Sequence, residues 1–125
     1  MPKQKIDDFT QAYIECALWS SNDESDESGG SPLEDNYSIE DIAPETLQSM
    51  IEDCRGFQEE ASEELAASGL DDQRAGHDFW LTRNRHGAGF WDEGIGQVGK
   101  TLTDMAHAYG ECNLYVGDDG QIHGG

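Results

Sequence analysis

Apolar positions along much of the chain recur three and four residues apart. Residues 7–19, DDFTQAYIECALW, show this spacing and begin with two aspartates, which suit the positive end of a helix dipole. A second helix is predicted from Pro44, suited to a first turn, to Gly69, suited to a stop. A third is predicted between Gly94 and Gly110. The side chains expected to pack these helices on a sheet are Phe9, Tyr13, Leu47, Ile51, Phe57, Leu102 and Met105.

Two segments have the composition of β-hairpins. In the first, residues 77–83 are rich in aromatic and β-branched side chains, residues 84–87 form a turn, and residues 88–91 return. In the second, residues 112–116 and 121–123 flank the turn sequence GDDG. We therefore predict an α+β fold, in which about four strands form one small antiparallel sheet of two hairpins packed with about three helices.

One further segment, residues 20–36, is built from Ser, Gly, Asp and Glu. Such a stretch can bury almost nothing, so it is predicted to be a mobile acidic loop. A length of 125 residues allows one core, and we predict a single domain over 1–125.

The net charge of the chain limits the classes of molecule that it is expected to bind. The chain has 27 acidic and 7 basic residues and a formal net charge of −20. Residues 1–72 hold 20 of the acids and 3 of the bases, so most of the charge lies there. A field of this sign repels nucleic acid and anionic membranes, and it favours a basic protein surface as partner.

Cysteine usage and hydropathy indicate a compartment. Cys16, Cys54 and Cys112 are far apart, odd in number and without a CxxC pair, which suggests neither a disulfide framework nor a zinc site. No stretch has the length of a signal peptide's apolar region or of a membrane helix. We expect a cytoplasmic protein without a cofactor.

Candidate chemistry is concentrated in the predicted 77–92 hairpin. His77, Asp78, Arg83 and His86 lie there among large aromatic residues, a combination found in active sites and ligand sites. The two histidines do not have the spacing of a helical zinc motif, and no third ligand is placed by spacing. Structural hydrogen bonds within a hairpin are the simpler interpretation.

Residues 94–101, GIGQVGKT, formally satisfy the phosphate-binding pattern GxxxxGK[ST]. That motif normally follows a buried hydrophobic strand in a parallel sheet, whereas here FWDE precedes it. A glycine-rich turn into the third helix is the better interpretation.

The second predicted helix is acidic along one face, and a charge run of this kind is usually only a solvated surface. The large excess of acidic over basic residues favours a second interpretation, in which the carboxylates imitate the phosphates of duplex DNA. The predicted binding residues are Glu45, Glu52, Asp53, Glu59, Glu60, Glu63 and Glu64.

The stretch AGHDFWLTRNRHGAGFWD at 75–92, with YVGDDGQI at 115–122, resembles a family of small proteins of bacteriophages and related mobile elements. The resemblance covers residues 75–122 and implies a phage context without catalytic residues. Small acidic phage proteins are often inhibitors that mimic DNA. We therefore expect a non-enzymatic inhibitor that docks on a basic host protein of defence. The alternative is a small enzyme or ligand-binding domain with its site in the 77–92 hairpin.

Overall fold

The computed structural model describes residues 6–20, 22–23, 31–32, 37–85, 89–112 and 114–124. Helices dominate these ranges. They are α1 (Asp8–Ser20), α2 (Pro44–Glu60), α3 (Ser62–Ser68), α4 (Asp72–Arg83) and α5 (Gln97–His107), with short 3-10 helices at Ile39–Asp41 and Phe90–Asp92. The strands are β1 (Asn22–Asp23), β2 (Ser31–Pro32), β3 (Leu114–Val116) and β4 (Ile122–Gly124).

The predicted α+β fold with one sheet of two hairpins is wrong. Within the described ranges the strands form two separate antiparallel pairs, β1 with β2 and β3 with β4, and neither pair includes the 77–92 segment. The predicted mobile loop at 20–36 lies outside the described residues apart from Ser20 and the four residues of β1 and β2.

Residues 77–83 belong to α4 and are not a strand. Asp71 caps this helix by accepting a hydrogen bond from the Arg74 backbone N–H at 2.7 Å. Eight of the twelve helical residues are buried, so apolar and polar positions show no clear helical period. An element buried on nearly all sides cannot be assigned by periodicity, and its aromatic content then favours a strand by mistake.

Helix α4 packs most extensively on α1, and Gly76 permits the close approach. A Cβ built on Gly76 would lie 2.0 Å from the carbonyl oxygen of Phe9 in α1. No real side-chain atom tolerates that distance, so glycine is required where the two helix backbones meet. Its helix-weakening effect is offset by the packing that it allows.

Aromatic rings from four elements form the centre of the core. Phe57 of α2 stacks on Phe79 of α4 with ring centroids 4.1 Å apart, and Phe90 lies 5.7 Å from Phe57. Tyr13 of α1 meets Trp80 edge-on at 5.3 Å. Of the predicted core residues, Phe9, Tyr13, Ile51, Phe57 and Leu102 are buried, whereas Leu47 and Met105 are only partly buried.

The structure agrees more closely with the predicted second and third helices and with the tail hairpin. The helix predicted over 44–69 starts at Pro44 and stops at Gly69, whose φ is 73°, but it breaks at Ala61 into α2 and α3. The tail hairpin is confirmed, with Tyr115 opposite His123. The GIGQVGKT segment is a turn into α5, as predicted, and the 3-10 helix Phe90–Asp92 precedes it.

Candidate functional site

A groove of about 790 Å³ opens between α1 and the first half of α4. Its α1 wall follows one helical stripe, in which positions 8, 11, 15 and 19 are three to four residues apart. The other wall comes from the start of α4, and the floor is completed by the segment 89–93. The lining residues are Asp8, Gln11, Ala12, Glu15, Cys16, Trp19, Asp71, Gln73, Arg74, His77, Asp78, Leu81, Gly89, Asp92 and Glu93.

Two carboxyl groups meet in this groove. Asp78 is 6% exposed, and its Oδ2 has no hydrogen-bond donor among the described residues. It faces Glu93, and two carboxyl groups can hydrogen-bond only if one keeps its proton. Burial, followed by the bond to Glu93, raises the pKa of Asp78 to about 8. Asp78 is therefore the neutral partner at pH 7, and it donates its proton to the Glu93 carboxylate.

Arg74 holds the ionised partner of this pair. Its Nε donates to Glu93 Oε2 at 2.6 Å and its Nη2 donates to Oε1 at 2.7 Å, a bidentate arrangement. The bond from Arg74, with the bond from Asp78 second, lowers the pKa of Glu93 to about 2. The two carboxyls thus have widely separated pKa values, as in sites where a proton is held ready for transfer.

His77 and Trp19 form an aromatic edge on the groove. Their ring centroids are 6.0 Å apart with an interplanar angle of 37°, and the Trp19 side chain is 54% exposed. Burial, followed by the charge of Arg74, lowers the pKa of His77. His77 is consequently neutral at pH 7, and Trp19 presents one of the three large apolar side chains described as exposed.

The candidate residues of the 77–92 segment are divided between two environments. His77 and Asp78 line the groove, whereas Arg83 lies in the core on another side of α4. His86 lies outside the described residues. The segment therefore does not gather its titratable residues into one site.

Arg83 has a structural environment. Its Nη1 donates to the Tyr13 hydroxyl and to Asp53 Oδ2, both at 2.9 Å, while Nε and Nη2 donate to the carbonyl oxygens of Gly110 and Tyr109. These bonds tie α1, α2 and the end of α5 to α4. Four acceptors thus occupy four of the five N–H donors of the guanidinium, which gives Arg83 a structural role.

Other residues of the same motif have packing or hydrogen-bonding partners. Thr82 Oγ1 accepts from the Phe90 N–H at 3.1 Å, and a Cβ on Gly89 would lie 2.2 Å from that oxygen. Asn84 Oδ1 accepts from the Cys112 N–H, and Trp80 Nε1 donates to the Ser20 hydroxyl. Most of the motif thus encodes the core, while His77 and Asp78 face the groove.

The predicted binding carboxylates differ in exposure. Glu45, Glu52, Glu59, Glu60 and Glu63 are exposed, and Glu64 is half-buried. Asp53 is paired with Arg83 and so belongs to the core network. Glu60 hydrogen-bonds to Tyr109 and contributes, after burial, to raising the pKa of that phenol to about 12.

Among the groove residues that sequence reasoning missed are Trp19, Arg74 and Glu93. Arg74 and Glu93 are 19 residues apart, and only the chain reversal after α4 brings them together. Had residues 72–83 been assigned to a helix, positions 71, 74, 78 and 81 would have been predicted to share one face, which is part of the groove lining. The pairing with Glu93 has no signal in the sequence.

The described residues hold no group of three His, Cys, Asp or Glu side chains arranged for a metal ion. Cys16, Cys54 and Cys112 are free thiols. Burial raises the pKa of each, that of Cys16 to about 12, so none is a ready thiolate nucleophile. In the same part of the chain, none of the helices combines the length and apolar character needed to span a bilayer.

Comparison of the chain with protein-family models, with curated proteins and with solved structures finds no match.

Proposed function

We propose that this chain is a non-enzymatic acidic binding protein that docks on the basic surface of a nucleic-acid-binding protein, in the manner of a DNA mimic. The observation behind this proposal is the exposed, unneutralised row of carboxylates along α2 and α3. The resemblance of residues 75–122 to small phage proteins supplies the context. In that context the partner is a bacterial defence protein, and the two meet in the host cytoplasm.

The carboxylates of α2 form a regular row. Glu45, Glu52 and Glu59 are seven residues apart, so each step advances about 10.5 Å along the axis with a drift of only about 20°. Glu60 lies beside this row, and Glu63 continues the charge into α3. We call Glu45, Glu52, Glu59, Glu60 and Glu63 the acidic face.

Little in the described structure neutralises the acidic face. The ion pairs found in the described ranges join Arg74 to Glu93, Arg83 to Asp53 and His123 to Asp119, and none involves the face. Like charges gathered on one surface destabilise the folded chain by mutual repulsion. A partner that supplies lysine and arginine would relieve the repulsion and gain steered association.

The test uses two variants with the same change in charge. The acidic-face variant replaces Glu45, Glu52 and Glu59 by Lys, and the control variant replaces the exposed residues Asp104, Glu111 and Asp118 by Lys. Each variant and the parent protein are immobilised and exposed to a bacterial lysate, with and without a duplex DNA oligonucleotide. Captured proteins are identified by mass spectrometry, and circular dichroism checks that the variants fold.

The proposal predicts that the parent and the control variant capture a nucleic-acid-binding protein and that duplex DNA displaces it. The acidic-face variant should lose the capture. Capture that resists DNA, equal capture by both variants, or the absence of any captured nucleic-acid-binding protein would contradict the proposal.

One observation favours a second candidate, a ligand-binding or enzymatic site in the groove. A neutral Asp78 beside an ionised Glu93 is an arrangement from which acid–base catalysts are built. This candidate retains His77 and Asp78 but not Arg83. It predicts that His77→Ala abolishes turnover or ligand binding while leaving the unfolding transition unchanged, and an inactive groove with an intact ring would oppose it.

A further inference from the structure

We propose that the groove between α1 and α4 binds a guanidinium group, seated against Trp19 and His77 with its N–H donors directed to Asp78 and Glu93. This site is separate from the acidic face, and the inference holds or fails independently of the DNA-mimic function. The guanidinium can come from an arginine in a peptide segment or from a small free molecule.

Asp78 and Glu93 place two buried carboxyl groups side by side in the groove. Asp78 is more than nine-tenths buried and lines the groove, yet its Oδ2 has no N–H or hydroxyl donor among the described residues. The group that it faces, Glu93, is a second acceptor. The two groups are held together by the proton on Asp78, and a ligand that brings several donors would replace that proton and satisfy both acceptors.

The charge of the groove lining favours a cationic ligand. Among the described residues, six carboxyl side chains line the groove, and Arg74 is the one lysine or arginine that does so. Arg74 is already bound to Glu93. The net charge of the lining is therefore negative even with Asp78 protonated. Such a concave, acidic wall concentrates cations and excludes phosphates and carboxylates.

The aromatic edge formed by Trp19 and His77 favours a guanidinium over an ammonium group. A planar guanidinium stacks on an aromatic face and forms paired hydrogen bonds to a carboxylate, whereas a compact ammonium does neither as well. The exposed Trp19 ring beside His77 offers the face, and the carboxyl pair offers the acceptors. A volume of about 790 Å³ exceeds one side chain and leaves room for peptide backbone on either side.

Binding of a cation in the groove would change the protonation of the Asp78–Glu93 pair. The charged and titratable groups that face Asp78 are Glu93, Arg74 and Asp92, and Cys16 of α1 lies close enough to feel its charge. Of these, only the Asp78–Glu93 pair shares a proton, which an incoming guanidinium would displace. We therefore expect proton uptake by the buffer on binding near pH 7 and tighter binding at higher pH.

The experiment is a titration followed by two-dimensional NMR of the full chain labelled with ¹⁵N, with the Trp19 indole N–H as reporter. The probes are a capped Gly-Arg-Gly peptide, agmatine as the free guanidinium, and a capped Gly-Lys-Gly peptide as the ammonium control. Three proteins are compared, namely the parent, Asp78→Asn and Glu52→Gln. The last removes one carboxylate from the acidic face and leaves the groove intact.

We expect saturable shifts of the Trp19 indole and of α1 and α4 amides with the arginine peptide, and binding about tenfold weaker with Asp78→Asn and with the lysine peptide. Glu52→Gln should bind as the parent does. Agmatine binding equal to the peptide would assign the site to free guanidinium compounds, and weaker agmatine binding would assign it to a peptide. Shifts that do not saturate, shifts that spread over the surface, or an affinity of Asp78→Asn equal to that of the parent would overturn the proposal.

The same variants separate this inference from the proposed function. Asp78→Asn should still capture a DNA-binding protein if the acidic face is what docks, and the acidic-face variant should still bind the arginine peptide. If the parent protein shows only one of the two properties, the missing one identifies which proposal has failed.

Discussion

Asp78 and Arg83 are both buried polar residues of α4, and the helix places them in opposite environments. Arg83 meets acceptors from α1, from α2 and from the residues that follow α5, which together engage four of its five N–H donors. Asp78 meets Glu93, another acceptor, and is left with a proton that an ordinary aspartate would lose. The first arrangement is that of a structural residue, and the second is that of a residue available to a ligand.

The raised pKa of Asp78 makes stability depend on pH. Between the ordinary aspartate pKa of 3.8 and about 8, the folded chain holds a proton at Asp78 that the unfolded chain has released. Its contribution to the free energy of unfolding therefore falls as pH rises through this window. Asn at position 78 donates to Glu93 at every pH, so Asp78→Asn should remove that contribution.

Urea unfolding of the parent and of Asp78→Asn at a series of pH values between 5 and 8 measures this difference. The variant should gain stability relative to the parent as pH increases. Because the other carboxylates are common to both proteins, their titration cancels in the difference. Parallel curves would show that Asp78 is ionised in the folded chain.

For Arg83, the geometry of the guanidinium matters more than its charge. Arg83→Lys keeps one positive charge but cannot reach Tyr13, Asp53 and both carbonyl oxygens together, so we expect a loss of about 2–3 kcal/mol in the free energy of unfolding. Arg85→Lys, at an exposed position, should change it by less than about 0.5 kcal/mol. Equal effects in chemical denaturation would mean that the network does not stabilise the fold.

At the scale of elements, the crossing of α1 and α4 positions the groove. The contact at Gly76 closes the helices on one side, and the groove opens along the stripe of positions 74, 77, 78 and 81. The cap at Asp71 fixes where α4 begins and therefore which side chains reach this stripe. The groove is thus a consequence of where the two helices touch.

Substitution of Gly76 tests this crossing. Gly76→Ala places a methyl group against the Phe9 carbonyl oxygen, which cannot move without shifting α1, and we expect a loss of about 1–3 kcal/mol. Gly56→Ala in α2 is the matched control, because its Cβ would meet only the Tyr109 hydroxyl at 3.0 Å. If Gly76→Ala is no more destabilising than Gly56→Ala, the close crossing is not present in solution.

Sequence patterns predicted the elements that carry a helical spacing, a helix-end residue or a turn sequence. Helices α1 and α5, the limits of the helical region 44–69 and the tail hairpin follow from spacing, Pro44, Gly69 and the GDDG turn. Helix α4 escaped prediction because burial on nearly all sides removes the period by which a helix is recognised. The carboxyl pair escaped because Asp78 and Glu93 meet only through the fold, whereas the acidic face was evident from charge alone.

For the molecule as a whole, the acidity is placed where it can act on a partner. The acidic side chains of α2 and α3 are mostly exposed. In the part of the chain that the structure describes, Arg55, Arg85 and Lys100 take no part in the three ion pairs named above. A net charge of −20 destabilises the compact state by self-repulsion, and under the proposed function it would also steer a basic partner from a distance. Docking on a basic surface would convert this repulsion into affinity.

The salt dependence of binding to the captured partner tests this account most directly. We predict that log Kd for the parent and the control variant rises steeply and linearly with log[NaCl] over about 0.05–0.5 M, because each carboxylate–cation contact is screened. The acidic-face variant should bind more weakly and with a shallower slope. Affinity that is indifferent to salt, or identical slopes for the two charge-matched variants, would contradict the claim that the acidic face is the docking surface.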